Sequence, residues 1–407
     1  MNSIFRIALR NVLRNRRRSL ITLSAVFLAL GIMVGIRGVL NGLQATIRES
    51  VVLGQTGALQ IHRKGFLKSI NGVPLELNMP SDAAFMKKIT AVPGVKAATA
   101  RIPFGGMANA NDTTDFAMFS ALDPVNEPLV CPRRSEGISA GKSLTDSGPA
   151  SGILTPELAQ KIGVKVGQKA TLLTNDKDGV MNAADFDLVG AYGQQGLPTQ
   201  DKKFGFVPLA FAQELLRMPG RATEIAIAVD RLDDVERLMP IIQAAVGDEY
   251  EVSTWHDVAA FIDDIMANQN FVLNFIAGIF LFVALLGIAN TMLMSVLERT
   301  REIGTMMSVG VRRRQILTLF LLEAALLGLF GGMLGAAAGG SFVAYYAHKG
   351  MAIHFAGAQT PMHIYPFVSA QYILFIFALA AGGAALAALW PSLRASRLRP
   401  VEALASV

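Results

Sequence analysis

Two runs of this chain carry no Asp, Glu, Lys or Arg: the 33 positions from Ile265 to Leu297 and the 44 from Gly350 to Leu393. A helix packed on a soluble core keeps a charged face for water, so soluble folds seldom supply such runs. Crossing a bilayer takes about 20 mostly apolar residues for ~30 Å of hydrocarbon. Four segments meet that requirement, at 20–41, 269–297, 316–347 and 371–393. Composition agrees, with 52% hydrophobic and 17% charged residues in a chain of 407. The fold class expected is an α-helical membrane protein with four transmembrane helices and an α+β extracytoplasmic domain, residues 42–268, inserted between helices 1 and 2.

Charge sets the orientation, because cytoplasmic loops near span ends are enriched in Lys and Arg. Six arginines and no acid precede the first span, the 298–315 loop has five Arg and two Glu, and the 394–407 tail has three Arg and one Glu. These cytoplasmic segments carry +11, and the 42–268 insert, with 21 basic and 27 acidic residues, carries −6. Both termini and the 298–315 loop are therefore expected in the cytoplasm, with the insert and the 348–370 loop outside. The first apolar run is span-length and lacks a clean cleavage site, so 1–19 is expected to stay as an amphipathic helix leading into an anchor. The basic pI marks topology and gives no reason to expect nucleic acid.

The insert has the punctuation of a soluble domain. Helices are expected at Ser81–Thr90 with Ser81 as N-cap, at Thr155–Ile162, at Pro208–Arg217 and over Leu232–Val246. Strands are expected at Val95–Arg101, Asp115–Leu122, Lys169–Thr174, Phe186–Tyr192 and Glu224–Val229, with pattern changes near 135 and 208 suggesting two subdomains. Glu136–Ser143 nearly matches a phosphate-binding loop but has Glu where the first glycine belongs and no long helix after it, so it reads as an ordinary loop. Asp176, Asp178, Gly179 and Asp185 partly fit a calcium loop and read better as a hairpin turn. Cys131 excludes an intramolecular disulfide and reads as a half-buried small residue. The histidines, His62, His256, His348, His354 and His363, show no triad or metal spacing and read as surface or interfacial. No catalytic residue, metal site or enzyme activity is expected.

The most informative stretch runs from Leu297 to Leu317. Ile303, Met306 and Met307 fall on one helical face, Glu298 and Glu302 stand one turn apart, and Gly304 and Gly310 permit close approach or termination. A short helix docking into a partner's groove and an interfacial helix rich in topology-setting arginines are equally compatible with this pattern. The stretch resembles the E-R-x-x-E-I-G-x-x-x-x-x-G-x-x-x-x-x-I signature of FtsX-like permeases, the membrane subunits of mechanotransmission (type VII) ABC transporters. Ala8–Ser19 resembles the amphipathic helix before their first span. Pro391–Leu404 resembles their closing P-x-x-x-A-x-x-x-x-P-x-x-A-L motif, and the insert is similar to the MacB-like periplasmic domain of macrolide-exporter and lipoprotein-releasing permeases, notably at Leu158–Leu173 and Phe186–Pro208.

The resemblance implies a non-catalytic permease subunit in a bacterial inner membrane, paired with a second permease as a homo- or heterodimer. A separate cytoplasmic ABC ATPase would bind ATP and Mg, and this chain would bind no cofactor. Glu298, Arg301, Glu302, Ile303, Gly304, Met307 and Gly310 would form the coupling helix that meets the ATPase, with Arg397, Pro400, Ala403 and Leu404 of the tail in contact nearby. The function implied is extracytoplasmic movement of a lipid-linked or hydrophobic substrate, with lipoprotein release the leading form. The alternatives are efflux of an antibiotic or other amphiphile in a tripartite exporter and mechanical signalling to a periplasmic hydrolase. A periplasmic chaperone, an adaptor, a lipoprotein and membrane lipid are the further partners implied. In the spans, Gly328, Gly332, Gly335 and Gly339 make small-xxx-small patterns that serve packing within one subunit or at a dimer seam. Glu323 is the one acid inside a span, costs about 3 kcal/mol if unpaired at mid-bilayer, and calls for a partner such as Arg18 or Thr22.

Overall fold

The computed structural model describes residues 2–14, 16–193, 203–354 and 362–397. The chain divides into two compact units, one of Met1–Gln44, Met266–Met351 and His363–Val407, the other of Ala45–Ile265 with Ala352–Met362.

The first unit is helical. A short helix, Asn2–Arg14, precedes the first long helix, Arg16–Val51. The other long helices are Ala260–Glu298, Arg313–Lys349 and Ala370–Ser396. Each contains one expected span, and all four are long and apolar enough to cross a membrane. The first outruns its expected end at residue 41 because nothing between Asn41 and Val51 stops a helix. Ser369 starts the last by accepting the Tyr372 N–H at 3.2 Å, and Gly350, at φ 74°, ends the third.

Packing among these helices depends on the absence of side chains. A Cβ on Gly335 would lie 2.6 Å from the Phe27 carbonyl oxygen, and one on Gly328 would lie 2.6 Å from that of Ala380. The 331/335/339 stripe thus receives the first long helix and the 328/332 stripe the fourth, which places these glycines in contacts within one subunit. Val26, Leu30, Phe320, Ala324, Ala380 and Ala384 fill the core between them.

The second unit is built on one ten-stranded mixed sheet, counted among the described residues. In spatial order its strands are Tyr250–Thr254, Leu59–Arg63, Glu224–Val229, Val95–Ala110, Thr113–Leu122, Phe204–Pro208, Ser151–Leu154, Met181–Tyr192 and Ile138–Gly141, with Lys169–Asn175 branching to pair Val95–Ala110 and Met181–Tyr192. Thr113–Leu122 pairs with Phe204–Pro208 in parallel, as does Ser151–Leu154 with Met181–Tyr192. The longest strand serves two cores: Ala98 joins Leu59, Ile227 and Trp255, while Ile102 and Phe104 join Phe119, Leu154 and Phe186. The change of environment therefore falls within one strand and not at residues 135 and 208.

Local differences from expectation have simple causes. Val95–Ala110 and Thr113–Leu122 are longer than the alternation suggested because Asn111 and Asp112, at φ 49° and 62°, close a two-residue hairpin, the geometry that matches strand twist. The helix expected from Ser81 starts at Ala83, and its N-cap is Asp82, whose carboxylate accepts the Phe85 N–H at 2.8 Å. A carboxylate suits the positive end of a helix better than a hydroxyl. Leu209–Leu215 and Val235–Val246 are helical, each inside its expected range.

Candidate coupling site

The connection between the second and third long helices folds as a nine-residue helix, Thr300–Ser308. It separates from the helix before it at Arg299, whose φ of −106° and ψ of 13° are not helical. Gly310, at φ 100°, follows its end in a conformation that strains any other residue. The third long helix then starts behind Arg312, whose backbone N–H is accepted by Gln315 Oε1 at 2.9 Å.

The helix lies with one face down. Ile303 is fully buried in the cluster that holds Ala8, Val12, Ile316 and Phe320, and Gly304 is buried beside it. Met306 and Met307 are half-buried against the same cluster. Glu302 pairs with Arg14 at 2.9 Å and Glu298 with Arg18, so the N-terminal basic segment is tied to this loop. Five of the seven expected contact positions, Glu298, Glu302, Ile303, Gly304 and Met307, thus seat the helix on its own chain. The surface left to a partner comprises Arg301, Thr305, Ser308, Val309 and Gly310, together with the exposed parts of Glu298 and Glu302. Val309 is 85% exposed. The amphipathic pattern does not mark it, because it sits past that pattern, in the turn that Gly310 makes.

Glu323 is buried, as expected of an acid inside a span, but its partner is Arg299, 3.7 Å away and equally buried. Asn11 and Arg18 lie near enough to act on the same carboxylate. Thr22, a partner expected from sequence, instead donates to the Arg18 carbonyl and pairs with the Thr291 hydroxyl at 3.0 Å. Glu323 therefore fastens the hinge residue of the short helix to the third long helix. Arg397 caps the last helix and is exposed. Pro400, Ala403 and Leu404 lie outside the described residues.

A sequence family described as MacB-like periplasmic core domain matches residues 19–245, and one described as FtsX-like permease C-terminal matches 274–400. The chain belongs to the family of FtsX-like permeases with a MacB-like periplasmic core domain. It is similar to an uncharacterized ABC transporter permease, YknZ, of Bacillus subtilis, at 25% identity over 98% of each chain. It is also similar to the macrolide export ATP-binding/permease protein MacB of Hyphomonas neptunium, at 31% identity over 56% of this chain and 34% of that one. The match thus spans about a third of the length of that MacB relative. Among solved structures, the periplasmic region of MacB from Actinobacillus actinomycetemcomitans matches 54% of this chain and 98% of its own, at 9% identity and a TM-score of 0.37.

In this member of the permease family, the insert holds a buried charge network that no local pattern in the sequence marks. Arg101 donates to both oxygens of Glu127 at 2.9 and 2.8 Å, to Glu224 at 2.9 Å and to the Gln55 carbonyl at 2.7 Å. Burial works against the Arg101 cation, yet Glu127, Cys131 and Glu224 hold its pKa well above the ordinary value. Burial likewise opposes the Glu224 carboxylate, and His62 and Arg101 bring its pKa down to about 2. His62 is not at the surface: it is buried and stacked on Phe66, 4.7 Å between ring centres. Cys131 is fully buried, not half-buried, and lies 3.0 Å from Arg101. Strand pairing brings Arg101, Glu224 and His62 together, and the short helix Glu127–Val130 carries Glu127 and Cys131 to them.

Of the other two motif-like features, the Glu136–Ser143 stretch expected as a loop is partly a strand, because Ile138–Gly141 pairs with Met181–Tyr192, and the second is a turn. Ile138–Gly141 is an edge strand, and Ser143 caps a single 3-10 turn by accepting the Thr145 N–H. Asp176 accepts the Asp178 and Val180 N–H groups at 2.9 Å each, which closes the hairpin. Burial would push its carboxyl up, but those donors and Arg217 hold it below the ordinary range.

Proposed function

We propose that this ABC transporter permease couples ATP hydrolysis, by a separate ATPase that binds ATP and Mg, to extracytoplasmic movement of a hydrophobic or lipid-linked substrate. The observation that supports this most directly is the Thr300–Ser308 helix, seated through Ile303 and hinged at Arg299, with Arg301, Thr305 and Val309 presented outward. An exposed apolar knob at the end of a helix fixed from beneath suits a groove on a partner. The charge asymmetry, +11 against −6, supports both termini and this helix in the cytoplasm and the sheet domain outside. ATP-driven approach of two ATPases would move two such helices, and the long helices would carry that motion to the sheet domains.

Two forms of the transport compete. The arrangement of one span, a large insert and three further spans suits release of a lipoprotein, the leading form expected from the resemblance, and amphiphile export equally. Export of an amphiphile through an adaptor and an outer-membrane channel is favoured by the similarity to a macrolide exporter. Affinity purification from native membranes tests both the framework and the choice. An ATPase with a phosphate-binding loop is expected with the wild-type chain and not with Val309→Asp, and recovery of the ATPase in equal amounts with both would sink the docking assignment. A copurifying lipoprotein or periplasmic chaperone selects the first form, and an adaptor with an outer-membrane channel the second.

A further inference from the structure

The first and second long helices meet around Arg37, the one cation inside the first expected span. Its guanidinium donates to the Asn270 side-chain oxygen at 3.0 Å and lies over the Tyr372 ring at 5.7 Å. Both partners are neutral. Among the described residues no ion pair includes Arg37, whereas Arg14, Arg18 and Arg299, at the other end of the spans, each have a carboxylate. A guanidinium carries five N–H donors, and the bond to Asn270 leaves most of them free. None of the Arg37 nitrogens is buried without a partner, so the free donors reach the surface of the helix bundle. Beside them runs a shallow groove lined by Ile32, Ile36, Leu40, Ile276, Ala277 and Phe280. It holds about 20 Å³ of free space, and one ordered water takes roughly 10–15 Å³, so the groove seats a chain along its open side and does not enclose a ligand.

We infer that this groove binds one glycerophospholipid of the leaflet at the insert end of the first span, with its phosphate on Arg37 and one acyl chain along Ile32, Ile36 and Phe280. The depth is right for a headgroup. Counted from Leu20 at 1.5 Å per residue, Arg37 stands about 26 Å along a hydrocarbon layer of ~30 Å. Tyr372, over which it lies, is in the first turn of the last long helix, and tyrosines concentrate where hydrocarbon meets headgroups. The charge is right as well, because a cation at the edge of the hydrocarbon is costly without an anion, and the guanidinium fork matches two phosphate oxygens. An arginine that only snorkelled to water would need neither a fixed side chain nor an adjoining groove. Arg37 is fixed by Asn270, whose oxygen also accepts from Gln44 at 3.3 Å. The bound lipid therefore bridges the two helices that precede and follow the sheet domain in the chain. This assignment requires only that the long helices span a bilayer, and it goes beyond the coupling role proposed above.

The test is photolabelling of the full chain in maltoside micelles, which contain no phosphate, followed by peptide mapping. The probes are a phosphatidylglycerol with a diazirine in one acyl chain and a diacylglycerol with the same chains and no phosphate. The phosphatidylglycerol should label the peptides that contain Ile36 and Phe280 above the one that contains Leu386, an exposed residue of the last long helix. The diacylglycerol should label the groove weakly, a comparison that needs no variant. Arg37→Gln, which keeps a donor for Asn270, should lower groove labelling by the phosphatidylglycerol about tenfold, the lower end of the range for a hydrogen bond to a charged group. It should leave labelling at Leu386 and labelling by the diacylglycerol unchanged. Ala277→Trp, which fills the groove, should lower groove labelling by both probes. Equal groove labelling of wild type and Arg37→Gln by the phosphatidylglycerol, labelling no higher than at Leu386, or displacement by inorganic phosphate at the concentration of the lipid would overturn the inference. No ATPase is required, so a failure here is separate from a failure of the coupling assignment.

Discussion

The second and third long helices have the same length as spans, 37 residues for Ile262–Glu298 and 37 for Arg313–Lys349, yet 11% of the most apolar window is buried in one and 56% in the other. The difference follows side-chain size. The buried helix is lined by glycines that admit the backbones of its neighbours, while the exposed one presents Phe271, Phe275, Phe282 and Leu286. In lipid, water does not drive helices together, so close backbone contact decides which helix sits inside. The short Thr300–Ser308 helix joins these two unequal helices. It is anchored on the side of the buried one through Arg299 and Glu323.

Gly335→Leu should break this contrast most severely, because even its Cβ would meet the Phe27 carbonyl at 2.6 Å. We expect almost no monodisperse protein on size-exclusion chromatography in detergent, whereas Phe275→Leu on the exposed helix should leave the yield unchanged. Next in size is the buried pair. Arg299→Met or Glu323→Leu alone should lower stability by about 3–5 kcal/mol, and the double variant by clearly less, because the single changes strand a buried charge. Thermal unfolding of all four proteins measures that cycle, and additive losses would show that the pair is not coupled. The smallest effect is expected at Arg14 and Glu302, both more than half exposed. Their replacement by Ala should cost about 0–1 kcal/mol and less in high salt, and a larger loss would mean that the loop is held chiefly by its ion pairs.

The four spans are legible in the sequence because a soluble helix or strand of that length would need charge somewhere along it, and all four helices contain the expected ranges. The short helix is legible for a related reason, since Ile303, Met306 and Met307 mark its buried face. What that pattern cannot distinguish is burial against the same chain from contact with another. Ile303 was therefore expected at an interface, when its side chain is consumed in seating the helix. The Arg299–Glu323 pair and the Arg101 network are illegible for a different reason: their members meet only through tertiary packing, at separations no local period reports. The Asn111-Asp112 hairpin is hard to see because neither residue is glycine, although both adopt positive φ.

On the function proposed above, docking through Val309, and not through the seated face, would distinguish a coupling helix from a mere connector in this chain. The ATP hydrolysis rate of the copurified ATPase, reconstituted in nanodiscs with wild-type, Val309→Leu or Val309→Asp chain, tests it. Val309 is exposed, so all three chains should be equally folded. The leucine variant should stimulate hydrolysis like the wild type, while the aspartate variant should leave the ATPase at its unassisted rate. Full stimulation by Val309→Asp would contradict docking at this residue.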